Sequence, residues 1–379
     1  MIGCVISKTR TLPRSFALSL TLLFSLGLFA QQATAQAPVR LAVVGLVHDH
    51  ILGLLSRMPN DPRVTLVGIS EPNAALREKY AKRFHLAPDL FYPSESAMLA
   101  ATHPQAILVY TSIAGHRAAI EQAAKLGISA MVEKPLATTY ADALAIQRTA
   151  EAHHVAVLTN YETTWYDSNA AAGAMLESGK IGPLRKLVVH DGHNGPKEIG
   201  VSPDFAAWLT DPVENGAGAM FDFGCYGVDL ATWLMHGEAP LSVTATALHI
   251  KPDVYPKVED DSTILLTYPK AQAIIQGSWN WPFARKDMEV YGATGYIDTV
   301  DATKLRVRLP DEKEEHAETA PPLPAPRNDS LDYLAAVLNH QLEPDGDLTS
   351  LKTNMVVMQI LDAARESAHT GKTVVLAKR

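Results

Sequence analysis

The sequence predicts an α/β chain in two parts: a doubly wound parallel sheet, then an α+β domain with an open, mostly antiparallel or mixed sheet. Three observations carry this. The chain has 379 residues, more than one hydrophobic core ordinarily serves at about 150 residues per domain. From Val39 to about residue 158, short apolar runs alternate with longer segments of helical spacing, the rhythm of a parallel sheet covered on both faces. Beyond residue 158 the strand-like runs follow one another with hairpin-length connections, which suits antiparallel pairing.

Residues 1–35 precede both parts. Lys8, Arg10 and Arg14 come before the uncharged apolar run Phe16 to Ala30, and the small triplet Ala33-Thr34-Ala35 follows. This is the order of a cleavable secretory signal peptide, and the run is shorter than the ~20 residues that span a bilayer. The expected cut is before Gln36, giving a periplasmic or secreted protein that has no membrane attachment after processing. Arg10 and Arg14 are separated, so nothing points to twin-arginine export of a folded chain. A composition of 47% hydrophobic and 20% charged residues excludes disorder. The net charge of −8 offers no attraction to a phosphate backbone, so nucleic acid is not an expected partner. Cys4 and Cys225 fall on opposite sides of the cut and make no disulfide framework.

Residues 36–158 form the first domain. Strands are expected at Leu41–Val44, Val64–Ile69, Ala106–Tyr110, Ile128–Val132 and Val155–Leu158, with helices over Asn73–Phe84, His116–Leu126 and Tyr140–His153. The turn after Val44 is where a dinucleotide fold places its phosphate loop. Against G-x-G-x-x-G, Gly45 supplies the first glycine, while Val47 and His50 stand in the second and third places. Glu71 ends the next strand, where an acidic residue can hold a ribose hydroxyl; it can equally cap the following helix. Thr111 and His116 lie at the strand end that opens over the same crevice, and Glu133-Lys134-Pro135 closes the buried strand Ile128–Val132. A lysine there can turn its ammonium into the crevice.

Residues 159–379 form the second domain. It opens with a helix over Ser168–Ser178 and continues with strands at Leu187–His190, Leu241–Ile250, Ser262–Tyr268, Ala271–Trp279, Met288–Tyr291 and Tyr296–Val300. One helix, Ala219–Met235, interrupts them. The proline-rich stretch Ala320–Pro326 is a connector, and helices over Ser330–His340 and Ser350–His369 end the chain.

Glu133-Lys134-Pro135, Ser178-Gly-Lys-Ile-Gly182, Gly216-Ala-Gly218 and Asp222-Phe-Gly-Cys-Tyr226-Gly-Val-Asp229 occur in that order. The ordered set resembles the Gfo/Idh/MocA family (glucose-fructose oxidoreductase, inositol dehydrogenase) over nearly the whole processed chain. The resemblance implies a Rossmann domain, a second domain whose open sheet can join copies into a homo-oligomer, and C-terminal helices packing back on the first domain. It implies oxidation of a sugar or cyclitol hydroxyl with NAD or NADP, tightly bound in an exported protein, and in some members NAD-assisted glycoside cleavage. It places Lys134, Asp222 and Tyr226 against the substrate as catalytic residues.

The residues themselves agree with that last point. Asp222, Tyr226 and Asp229 are spaced to share one helix face. Oxidising an alcohol needs a base for the O–H proton, and Tyr226, its phenol acidified by Lys134, could take it. The expected cofactor residues are Gly45, Val47, His48, Glu71, Thr111, His116 and Glu133. The expected substrate residues are His193, Asp229 and Trp165, the last as a stacking face for a sugar ring. A metal is not expected, although His48-Asp49-His50 and His190-Asp191-Gly192-His193 contain candidate ligands His48, His50, His190 and His193. A metal-dependent lyase or hydrolase, or a sugar-binding protein, on the same scaffold are the alternatives to an oxidoreductase.

Overall fold

The computed structural model describes residues 37–376; the expected signal peptide lies outside the described residues. Strands β1 (Val39–Val44), β2 (Val64–Ser70), β3 (Phe91–Tyr92), β4 (Ala106–Val109), β5 (Ser129–Glu133) and β6 (Val157–Asn160) form one sheet in the order β3-β2-β1-β4-β5-β6. Every pairing in it is parallel. Helices α1 (Ile51–Arg57), α2 (Ala74–Phe84), α3 (Glu95–Thr102), α4 (His116–Ala124) and α5 (Tyr140–His153) alternate with the strands. The central strands are apolar on both faces because both are covered, and Leu41, Ala42 and Val43 are fully buried. Strand order reverses between β1 and β4, so the crevice for a ligand lies outside the carboxyl ends of these two strands.

Several histidines punctuate the backbone. His85, His103 and His154 end α2, α3 and α5 in the left-handed region, and His236 and His340 also have positive φ. Among non-glycine residues His is one of those enriched in this conformation. Because the chain leaves α5 through the left-handed His154, pairing with β5 starts at Val157 and runs to Asn160, two residues later than the pattern predicts.

The second part contains α6 (Asp167–Glu177), β7 (Leu184–Gly192), α7 (Pro203–Leu209), α8 (Pro212–Asn215), α9 (Ala219–Asp222) and α10 (Gly224–Leu234). Then come β8 (Ser242–Leu248), β9 (Asp261–Thr267), β10 (Gln272–Ser278), β11 (Arg285–Gly292), β12 (Tyr296–Thr299), β13 (Lys304–Arg308), β14 (His316–Thr319), α11 (Ser330–Leu338), α12 (Leu351–Thr370) and β15 (Val374–Val375). The nine strands run β14-β13-β12-β11-β7-β10-β9-β8-β15. β7 and β10 are parallel; the other neighbours are antiparallel.

The single helix expected over Ala219–Met235 breaks at Phe223 into α9 and α10. The break lets the backbone at Gly224 press on β10, where a Cβ on Gly277 would stand 2.4 Å from the Gly224 nitrogen. It also leaves Asp222 as the last residue of a short helix. Near the chain's end, Leu331 and Leu334 of α11 share a core with Leu41, Leu54 and Leu108 of the first sheet, and α12 packs on α5, α10 and β8. Among the described residues no helix is long and apolar enough to cross a membrane.

Candidate active site

A cavity of about 590 Å³ opens at the carboxyl edge of the parallel sheet, with Lys134, Asp222, Tyr226 and His193 at its floor and Glu162 and Lys286 at its side. β5 carries Lys134 there. Its strand is buried throughout, so the residue following Glu133 emerges at the crevice with 4% of its surface exposed. Lys134 Nζ donates to the main-chain oxygen of Asp222 at 2.7 Å and to Asp222 Oδ1 at 2.6 Å. The other carboxylate oxygen, Oδ2, accepts the indole N–H of Trp279 at 2.9 Å. Burial works against both charges, yet each partner holds the other ionised: the Asp222 carboxylate keeps Lys134 above its ordinary pKa, and Lys134, with the Trp279 N–H and His193, keeps Asp222 below its own. Trp279 is fully buried. Only the fold shows it orienting this carboxylate.

Tyr226 lies beside the pair, but its phenol is not acidified. Burial pushes it well above its ordinary value, and nearby carboxylates add to the effect. The ammonium groups of Lys134 and Lys286 lie near the ring, 5.0 and 4.7 Å from its centroid. Tyr226 is therefore a neutral phenol at neutral pH, not acidified by Lys134, which corrects the expectation from sequence. His193 reaches the cavity, with its Nδ1 accepting the Gly195 N–H at 2.9 Å. Burial lowers its pKa, so it is a neutral imidazole whose Nε2–H is a donor.

Lys286 and Glu162 pair across the cavity wall. Opposite Lys286 in the β7–β11 register, Asp191 is buried with both carboxylate oxygens unpartnered; burial raises its pKa far above the usual range. The sequence gives no sign of Glu162 or Lys286 and offers Asp191 only within the His190–His193 motif; the three converge through the β7–β11 pairing and the Glu162–Lys286 ion pair. Ile199 and Phe283 line the cavity while remaining largely exposed, at 52% and 63%, an apolar rim that suits the carbon face of a ring.

The phosphate-loop end differs. Gly45 has φ +86, and a Cβ there would approach the Thr111 nitrogen to 2.8 Å, so this glycine is required. The N–H groups that a pyrophosphate would need are largely taken within the protein. Gly45 donates to Ser70 O, Leu46 to Glu71 Oε2, His48 to Tyr110 O, and His50 to His48 Nδ1. Helix α7 covers the loop. Trp208 Nε1 donates to Val47 O at 3.1 Å and the Ser202 N–H to Asp49 Oδ2 at 2.7 Å, while the His48 ring lies 4.7 and 5.3 Å from the rings of Phe205 and Trp208. Burial drives the His48 pKa well down, with the neighbouring His50 and Lys134 adding to it.

Several expected site residues take other roles. Glu71 is 3% exposed and both its oxygens accept backbone N–H groups, from Leu46 and Asn73; it braces the loop instead of presenting itself to a ribose. His116 is fully buried, its Nδ1 at 3.3 Å from Leu136 O, and burial pushes its pKa down to about 4. Thr111 spends its hydroxyl on Ser112 O. Val47 lends only its carbonyl, to Trp208. Trp165 lies away from the cavity, against Tyr333 and donating to Asn160. Asp229 is fully buried in α10 with neither oxygen partnered, so it faces the core and not a substrate. His190 pairs with Asp287 and does not converge with His193 on a metal-type cluster.

An NAD-type cofactor fits this crevice unevenly. The switch point, Gly45, and Glu133 and Lys134 at the end of β5 suit its nicotinamide half. Its pyrophosphate half would have to displace the contacts of Trp208 and Ser202.

A doubly wound domain joined to an open-sheet domain, with a buried Lys–Asp pair where they meet, defines a dinucleotide-fold oxidoreductase class. Comparison with known families narrows this. Residues 39–161 match the model of the oxidoreductase family with an NAD-binding Rossmann fold, and residues 169–298 match the GFO/IDH/MocA C-terminal domain. The chain belongs to the GFO/IDH/MocA family. It is 26% identical over 320 residues to a D-apiose dehydrogenase of Rhizobium rhizogenes, covering 79% of this chain and 89% of that one. It is 22% identical over 250 residues to a D-xylose 1-dehydrogenase [NADP(+)] of Haloarcula marismortui, covering 63% and 66%. In fold it is similar to an inositol dehydrogenase homolog from Azotobacter vinelandii solved with NAD+, with a TM-score of 0.78 at 18% identity over 90% of this chain and 98% of that one. It is also similar to the aldose-aldose oxidoreductase of Caulobacter crescentus solved with glycerol, with a TM-score of 0.76 at 19% identity over 89% and 100%.

Proposed function

We propose that the protein is an exported oxidoreductase that acts on a CH–OH group of a sugar or cyclitol with NAD or NADP. The observation that carries this is the buried Lys134–Asp222 pair at the floor of a cavity of about 590 Å³, a size suited to a monosaccharide. The names of the sugar dehydrogenases it resembles support the substrate class. The basic, apolar and small-residue order of residues 1–35 supports export, and the open outer face of the nine-stranded sheet supports a contact between copies.

In this reading the cofactor, held along Glu133 and Lys134, supplies a hydride acceptor when bound. The chain's own residues do the rest. Two hydrogen bonds to Asp222 leave Lys134 a third N–H for the reacting oxygen. As that oxygen loses its proton, Lys134 passes one of its own protons to Asp222 Oδ1, to which it is already hydrogen-bonded, and takes the substrate's in its place, so it remains an ammonium beside the developing charge. The Nε2–H of His193 and the hydroxyl of Tyr226 orient neighbouring hydroxyls.

Untagged processed protein, denatured and examined by mass spectrometry, is expected to release NAD or NADP. With added nucleotide it should oxidise at least one member of a panel of aldoses and cyclitols. Absence of both nucleotide and turnover would overturn the reading.

A further inference from the structure

His48, His50 and Glu133 meet at one point beside the cavity. His50 Nδ1 is 2.9 Å from Glu133 Oε2 and His48 Nε2 is 4.0 Å from the same oxygen. One ligand atom from each residue lies within 4.8 Å of the others. Tetrahedral coordination at 2.0 to 2.2 Å sets donors roughly 3.4 Å apart, so separations of 2.9 to at most 4.8 Å reach that spacing through side-chain shifts of up to about 1.4 Å. Among the described residues this is the one group of three histidine, cysteine or carboxylate side chains with metal-ligand spacing. From these contacts we infer that this chain holds a divalent cation of the zinc or manganese type on His48, His50 and Glu133, with its remaining positions open to the sugar cavity.

Three features beyond proximity support the site. Glu133 is fixed so that only one oxygen faces the histidines: Asn160 Nδ2 donates to Oε1 at 3.0 Å, and Asn160 is itself fixed by the Trp165 indole donating to its Oδ1 at 3.0 Å. Orientation of a ligating carboxylate by an outer amide is the usual support of a metal site. His48 is held in place by the Phe205 and Trp208 rings, so little side-chain freedom remains to be lost on binding. His50 is 42% exposed and lines the cavity, leaving a cation reachable from it. Ligation through His48 Nε2 gives up only the long 3.3 Å contact of Nδ1 with the His50 N–H.

Three protein ligands with open positions form the pattern of a site that binds a further ligand, not of a closed structural one. Two imidazoles with a carboxylate suit zinc or manganese better than the all-oxygen cations. Adjacent hydroxyls of a polyol would be natural occupants of the open positions. The inference does not depend on the oxidoreductase reading, and because Glu133 is shared, the metal and the nicotinamide nucleotide must be assayed separately.

The test uses untagged, EDTA-stripped processed protein titrated calorimetrically with zinc chloride and with manganese chloride, with bound metal counted by plasma mass spectrometry after dialysis. The expected result is one equivalent of metal per chain. His50→Ala, at an exposed position, should keep the folded circular dichroism spectrum and weaken binding by at least 100-fold, and Glu133→Gln should behave alike. His190→Ala should leave binding unchanged. No stoichiometric uptake of either metal would overturn the site, as would uptake undiminished in folded His50→Ala. Nucleotide content, measured on the same samples, bears on the proposed function and leaves the metal result to stand or fall alone.

Discussion

The two ends of the crevice are built on opposite principles. At the Lys134 end the protein buries two charges, pairs them at 2.6 Å, and leaves a cavity in front of them. At the phosphate-loop end it leaves little open: the backbone donors bond inside the protein, Glu71 braces Leu46 and Asn73, and Trp208 of the second domain bonds to Val47. Val47 and His50 stand in glycine places and put side chains where glycines leave space to a ligand, and α7 packs its Phe205 and Trp208 rings on His48 between them. Here the loop is a packing surface, with the imidazoles of His48 and His50 next to Glu133.

The largest expected effect tests the open end. Asp222→Asn removes the base and leaves the Lys134 ammonium buried without its partner, so turnover should fall by about 10²- to 10⁴-fold. Stability should fall by about 3–5 kcal/mol, the range for breaking a buried pair. Lys134→Met should do likewise by stranding Asp222. The double variant Lys134→Met with Asp222→Leu removes both charges, and is expected to recover much of the stability and none of the activity. Chemical denaturation of the three variants alongside steady-state kinetics separates the roles. Activity surviving in the double variant would move the chemistry away from this pair.

A smaller effect tests the closed end. Trp208→Phe keeps a ring against His48 and deletes the donor to Val47 O. If a dinucleotide enters by displacing α7, losing one neutral hydrogen bond of about 1 kcal/mol should tighten NAD binding by roughly 5-fold. Calorimetric titration measures this directly. Weaker binding in Trp208→Phe would show that α7 helps to form the nucleotide site and would erase the contrast between the two ends.

Much of this was legible in the sequence, for physical reasons. The central parallel strands are apolar throughout because both faces are covered, so they were readable, as was the crevice they imply. Lys134 and Asp222 were readable because short local motifs carry them. The roles of Trp279, Glu162 and Lys286 were not, since they depend on the long-range pairing of β7, β10 and β11 and on the Glu162–Lys286 contact across the cavity, which no local spacing reports. The fate of Glu71 depended on whether its carboxylate turned inward, a choice made by the loop's unsatisfied N–H groups. For Tyr226, burial outweighed the neighbouring ammonium, a balance that spacing alone cannot weigh. Helix α7 escaped notice because it is a seven-residue segment, too short for helical periodicity to stand out.

Two aspartates of the α9–α10 segment, one ending α9 and one inside α10, differ in their pairing. Asp222, two residues before α10, is paired. Asp229, inside it, is fully buried with no partner, and burial raises its pKa well above the carboxylate range. An unfolded aspartate titrates near ~4, so above that pH the folded state holds a proton that the unfolded state has released. Stability from this residue is therefore full below the unfolded pKa and is lost as pH rises toward the folded value. Asp229→Asn keeps the shape and removes the titration. Turnover should not change, because Asp229 touches neither the cavity nor the Lys134 pair. At pH 7 the variant should melt at least about 2–4 °C higher, the shift made by ~1 kcal/mol in a chain of this class. Near pH 4 the two curves should meet. Melting curves recorded from pH 4 to 8 check this: parallel curves would mean that Asp229 is partnered in solution, and lost turnover in a folded Asp229→Asn protein would return Asp229 to the site.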